Sequence, residues 1–160
     1  MLNQMKVILG GTFGYLHIGH KALIKKALQI GDFIYVGLTT DEYVRSMKPG
    51  EKLPSYKIRR AAIYRFMKPF GKRFEISPLD DRFGPSISGD FDAIIVSSET
   101  LPTATEINKR RAAARLRKLS IVKIKNVLAE DSIPVSTTRI LKGEIDRNGK
   151  VIERPRRLFN

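Results

Sequence analysis

The chain contains only two histidines, His17 and His20, and both fall in one turn beside Gly10, Gly11 and Thr12. These residue types suit chemistry on an anion. Glycines let a backbone approach a phosphate, a threonine adds a hydroxyl donor, and imidazoles three residues apart at a helix start project toward one space. Gly19, between them, leaves room for a ligand to lie against the backbone. A metal pair is the competing reading, but the nearby sequence offers no third His, Cys or carboxylate, so no metal ligand is assigned. The two common phosphate loops are missing, since no Lys-Ser or Lys-Thr follows the second glycine and no third glycine stands at dinucleotide spacing.

Such a turn needs a strand before it and a helix after it, and the apolar pattern supplies both. Residues 5–9 read as a buried strand broken at Gly10-Gly11-Thr12. Residues 18–29 read as a helix with Ala22, Leu23, Ala27 and Ile30 on one face and Lys21, Lys25 and Gln29 on another, ended by Gly31. A second strand over 33–38 leads to Thr39-Thr40-Asp41, an N-cap for a short helix through Arg45. Residues 47–54 have loop composition, and Ser55 caps a helix to about Met67. Strands follow over 74–77 and 93–96, separated by a Gly- and Ser-rich loop. A long basic helix over 103–118, a fifth strand over 121–127 and a short helix over 136–142 complete the pattern. Alternating short apolar strands and helices predict an α/β fold, a doubly wound five-stranded parallel sheet with helices on both faces. Its ligand crevice lies at the carboxyl ends of the strands.

At 160 residues, with 42% hydrophobic and 29% charged residues, the chain has the size and composition of one globular domain. We assign the domain to residues 1–146 and a loosely attached basic tail to 147–160. With no cysteine, a disulfide framework, thiolate metal sites and cysteine nucleophiles are excluded. No apolar run is long enough for a membrane span or a secretory core, so the expectation is a soluble, unprocessed, cytoplasmic chain. The net charge of +14 thickens at Lys109-Arg110-Arg111, at Arg115-Arg117-Lys118 and at Arg154-Arg156-Arg157. Polyphosphate, nucleic acid and a plain solubility charge are all compatible with it. A nucleic-acid-binding module is disfavoured, because the basic helix carries no aromatic stacking positions and no groove-reading motif.

The stretch from Gly10 to His20 resembles the opening motif of the HxGH nucleotidyltransferase superfamily, Gly-Gly-Thr-Phe-Asp, two variable residues, then His-x-Gly-His. Gly14 departs from it, standing where the family usually has Asp. The resemblance narrows to the archaeal-type phosphopantetheine adenylyltransferases through His17 to Ile24, Gly37 to Glu42, Val96-Ser97-Ser98-Glu99-Thr100, Glu106-Ile107-Asn108, Val135 to Ile140 and Gly143 to Asp146. It implies a Rossmann-like sheet and transfer of AMP from ATP to 4′-phosphopantetheine, giving dephospho-coenzyme A and pyrophosphate. An FMN adenylyltransferase or a glycerol-3-phosphate cytidylyltransferase would show the same first turn.

The same resemblance implies residue roles. His20 meets the α-phosphate and His17 supports the nucleotide phosphates, while Gly11, Thr12, Phe13 and Gly19 shape the nucleotide turn. Thr12 also meets the acceptor phosphate, and Lys48 is the candidate for a mobile phosphate clamp. Ser97 and Glu99 lie where the superfamily holds adenosine. Ser136, Thr137 and Thr138 offer hydroxyls and N–H groups to the β- and γ-phosphates, and Mg²⁺ arrives on the triphosphate. The late motif usually ends in Arg where this chain has Leu141. Helical spacing puts Lys142 above Thr138 and turns Arg139 away, which favours Lys142 as the substitute cation.

Overall fold

In a computed structural model, which describes residues 3–153, five strands form one wholly parallel sheet in the order β3-β2-β1-β4-β5. They are β1 (Lys6–Gly11), β2 (Phe33–Thr39), β3 (Arg73–Leu79), β4 (Ala93–Val96) and β5 (Ser120–Lys123). The helices are α1 (Ile18–Ile30), α2 (Asp41–Met47), α3 (Tyr56–Met67), α4 (Leu101–Ala113) and α5 (Thr137–Leu141). Chain order reverses direction between β1 and β4. Right-handed crossovers then force the helices that precede and follow that point onto opposite faces of the sheet. Val7, Leu9, Ala93 and Ile95 accordingly pack with Leu23, Ile24, Ala27, Leu28, Ile63 and Met67 of α1 and α3. Ile8, Ile94 and Val96 pack on the other side with Ala104 and Ile107 of α4. Both faces of the central strands are covered, so their residues are continuously apolar rather than alternating.

Local signals hold the helix starts where the sequence puts them: Thr40 accepts from the Tyr43 amide at 3.2 Å and Ser55 from the Ile58 amide at 3.4 Å. Four expectations need correction. Gly10 and Gly11 do not make the turn; they extend β1, opposite Gly37 and Leu38 of β2, and the left-handed residue is Phe13 (φ 47°). The buried face of α1 is Leu23, Ile24, Ala27 and Leu28, so Ala22 lies outside it. Helix α4 stops at Ala113, because Arg115 turns left-handed (φ 58°) and the Leu116 amide bonds back to the Arg111 carbonyl at 2.8 Å. This is a Schellman closure without the glycine that would have announced it. Strand β5 is four residues long, not seven.

The tail from residue 147, expected to be loosely attached, is docked as far as it is described, through residue 153. Ile145 is buried and bridges to Val151, and the Glu130 amide donates to the Gly149 carbonyl. The Ile18 amide at the start of α1 donates to the Arg147 carbonyl at 2.9 Å. Arg154, Arg156 and Arg157 lie outside the described residues. The basic cluster on α4 is also less available than its sequence suggests. Arg111 is buried, donating to the carbonyls of Ser86, Gly89 and Arg117, and Arg110 pairs with Glu106 and stacks 4.4 Å over Phe83.

Candidate active site

Helix α1 begins with a capping box built from histidines. His17 is the N-cap, and its Nδ1 accepts from the amides of Gly19 at 3.0 Å and His20 at 3.3 Å, while the His17 amide reaches His20 Nδ1 at 3.3 Å. The two rings stack at 3.6 Å and 16°, and Phe13 meets His20 edge-on at 5.1 Å. Ser or Thr with Glu normally fills these roles. Using imidazoles leaves the helix start without an acidic side chain, so its positive end remains for an external anion.

The cap determines proton positions. His17 Nδ1 accepts two hydrogen bonds, so the neutral ring carries its proton on Nε2 and offers a donor there. His20 Nδ1 has two alternatives, accepting from the His17 amide or donating to the Tyr15 carbonyl at 3.1 Å. The first leaves His20 Nε2 a donor, the second an acceptor. Burial lowers the His17 pKa to about 4. For His20, burial, then the charge of His17, lower it to about 3, opposed by the Tyr15 carbonyl. Both rings are neutral at physiological pH, so His17 donates from Nε2, and His20 does so in the tautomer whose Nδ1 accepts from the His17 amide.

The structure alters two sequence readings of this turn. The room at Gly19 is taken by His17 itself, since a Cβ there would sit 2.9 Å from His17 Cε1. The first amides of α1 are also spent, on His17 Nδ1, the His17 carbonyl and the Arg147 carbonyl, so the helix presents its dipole and imidazole donors rather than bare amides. Gly14, the departure from the family motif, is packed: a Cβ would meet Leu53 Cδ2 at 2.7 Å and the methyl of Thr137 at 3.3 Å. Segment 48–55 thus lies over the β1 turn, and the start of α5 joins it.

Thr12 is fixed from below by Arg59, which the sequence did not single out. The Arg59 Nη1 donates to the Thr12 carbonyl at 2.9 Å, and the Thr12 hydroxyl lies 3.2 Å from that of Thr39. Nothing in its helical pattern marks Arg59; its burial beneath residue 12 is a tertiary event. Beside Thr12, a cavity of about 200 Å³ opens between the ends of β1 to β4 and α4. Paired Gly10 and Gly37 with Leu79 shape its inner wall, Ala104 and Ile107 its side, and Arg82 and Thr103 its mouth.

Gly11, Thr12, Phe13, His17, His20 and Thr137 therefore converge on one turn. Ser136 caps α5 by accepting from the Arg139 amide at 3.2 Å, and Thr138 is exposed. At the end of β4, the Ser97 amide donates to Thr100 at 3.1 Å, Ser98 bonds Asn126, and Glu99 is exposed. Lys48 pairs with Glu51 at 3.8 Å and does not line the cavity, although the preceding Met47 does. Lys142 is the exposed C-cap of α5, and its amide bonds the Thr138 carbonyl at 3.0 Å. Arg139 points away into ion pairs with Asp131 and Glu144.

Residues 8–143 match the family model described as cytidylyltransferase-like. The phosphopantetheine adenylyltransferase of Methanosarcina mazei is 46% identical over 151 residues, covering 91% of this chain and 96% of that protein. That of Methanosarcina barkeri is 43% identical, covering 91% and 92%. A crystal structure of a protein of unknown function from Archaeoglobus fulgidus superposes with a TM-score of 0.68 at 37% identity, covering 75% of this chain and 89% of that one. With its histidine-capped turn at the switch point of a parallel sheet, the chain belongs to the cytidylyltransferase-like family of nucleotidyltransferases and, within it, to the archaeal phosphopantetheine adenylyltransferases.

Proposed function

We propose that the chain binds ATP and 4′-phosphopantetheine and transfers AMP between them. A phosphate oxygen of the acceptor attacks the α-phosphorus in line, the bond from that phosphorus to the β-phosphate oxygen breaks, and pyrophosphate leaves. The acceptor phosphate is already ionised near neutral pH, so the step needs positioning and charge stabilisation rather than a strong base. The neutral, stacked imidazole pair at the start of α1 is the observation that carries the reading. Neutral N–H donors at a positive helix end stabilise charge growing on α-phosphate oxygens without repelling the substrate through a fixed anion.

In this reading the Thr12 hydroxyl holds the acceptor phosphate and the cavity beside it takes the pantetheine arm, whose length and mixed polarity suit apolar walls with a polar mouth. Ser97 and Glu99 at the β4 end serve the nucleoside. Ser136, Thr137 and Thr138 serve the leaving pyrophosphate, with Lys142 as their cation and Lys48 closing from the segment over the turn. Mg²⁺ travels on the triphosphate, whose oxygens and waters supply most of its ligands. No described helix is long and apolar enough to cross a membrane, and we assign the reaction to the cytoplasm.

Crossing each NTP with phosphopantetheine, FMN and glycerol 3-phosphate, scored by pyrophosphate release, tests the assignment. ATP with phosphopantetheine is expected to dominate. Preference for another pair would remove the acceptor assignment and keep the family.

A further inference from the structure

Arg59 is among the most deeply buried side chains of the described chain, 2% exposed, and four of its five N–H groups are committed. Its Nε donates to the Pro54 carbonyl at 2.9 Å and its Nη2 to Asp41 at 2.9 Å. Its Nη1 donates to the Thr12 carbonyl at 2.9 Å and, more loosely, to the Thr39 hydroxyl at 3.4 Å. Thr39 is itself 5% exposed, and the Thr12 hydroxyl lies 3.2 Å from its oxygen.

A guanidinium has donors only, so Arg59 stands at the donor end of this chain. The Thr39 oxygen accepts a hydrogen bond from Arg59 Nη1, and its own hydroxyl hydrogen is donated to Thr12 Oγ1. Thr12 Oγ1, already accepting, keeps its one hydroxyl hydrogen for another partner at the β1 turn. We propose that Arg59 and Thr39 are positioning residues that polarise the Thr12 hydroxyl as an obligatory donor to the phosphate bound at that turn. A hydroxyl left to itself rotates and presents a lone pair part of the time, which an anion repels. The Arg59–Thr39 chain removes that choice before the substrate arrives, the preorganisation that an electrostatic catalyst requires. The inference deepens the proposed function and rests on its assignment of Thr12 to the acceptor phosphate.

Removing Arg59 would strand buried carbonyls and report on folding, so Thr39 is the site to vary. The experiment uses the whole chain carrying Thr39→Val, Thr39→Ser, Thr12→Val or Thr12→Val with Thr39→Val, with melting temperatures as the folding control and steady-state kinetics on ATP and phosphopantetheine. Thr12→Val should lower kcat/KM for the acceptor roughly 10- to 100-fold, the scale of a hydrogen bond to a charged group. Thr39→Val, nearly isosteric, should lower it roughly 3- to 10-fold, the scale of a neutral hydrogen bond, chiefly through the acceptor KM and with little change in the ATP KM. Thr39→Ser should restore it, and Thr39→Val should cost nothing further in the Thr12→Val background, because the two act as one chain. Full additivity of the two losses, or equal loss in the Ser and Val variants, overturns the inference. Unchanged kinetics in Thr12→Val overturns it while leaving the reaction standing. A chain inactive on this pair but active on another removes the reaction assignment alone, and the same variants then decide the inference on the preferred pair.

Discussion

Two helix starts face the same turn, and they are built to different standards. Helix α1 has thirteen residues and buries Leu23, Ile24, Ala27 and Leu28 against the sheet, whereas α5 has five residues and buries none. Fully burying one Leu or Ile side chain stabilises by about 1.5–3 kcal/mol, so α1 is anchored by several kcal/mol of packing that α5 lacks. The caps differ in the same direction. At α1 two imidazoles each satisfy the other's backbone and stack; at α5 a single serine accepts one amide, and the helix is moored by Arg139 to Asp131 and Glu144. A group that must meet a transition state within a fraction of an ångström belongs on the anchored helix. A group that must hold and then release pyrophosphate tolerates the softer one.

The largest test of that contrast is His20→Ala. Turnover should fall roughly 100- to 1000-fold, the usual loss for one preorganised donor, with ATP affinity by calorimetry changed far less. A folded variant with nearly normal kcat would place the chemistry elsewhere.

On the softer helix the losses should be smaller and should appear in binding. Lys142→Ala is expected to raise the KM for ATP and for pyrophosphate in the back reaction roughly 3- to 10-fold, as for one exposed charge-assisted contact. Arg139→Ala should instead release residues 131–152, seen as faster amide exchange there. If Arg139→Ala raises both KM values more than Lys142→Ala while exchange stays slow, the roles are reversed.

The smallest effect concerns protons. Because the folded state holds His17 at about 4 and His20 at about 3, below the unfolded value near 6.5, the unfolded chain binds more protons across that window. Stability is therefore full above pH 6.5 and declines as pH falls below it, levelling off near 4 for His17 and near 3 for His20. Urea melts should show the decline, and His17→Asn, which keeps a capping side chain, should flatten it. NMR titration of the two imidazoles should give midpoints below 5; a midpoint near 6.5 for either would mean that its ring is solvated.

What the sequence determined by itself was everything with a short period. The order of five strands and five helices, the caps at Thr40, Ser55 and Ser136, the two-faced sheet and the pairing of His17 with His20 are written in residues a few positions apart. The turning of Arg139 away toward Asp131 and Glu144 also follows from 100° per residue. Tertiary structure decided what depends on residues meeting across the chain. Arg59 reaches Thr12 over 47 positions, Leu53 fills the space at Gly14, and Gly10 opposes Gly37 to open the cavity. Arg147 satisfies the first amide of α1, and Arg111 disappears into carbonyls although its neighbours are surface charges. A charged residue carries no local sign of whether it will be buried. Its fate depends on whether folding brings enough acceptors to replace water around it, and those acceptors are backbone carbonyls present at every position, which no sequence pattern marks.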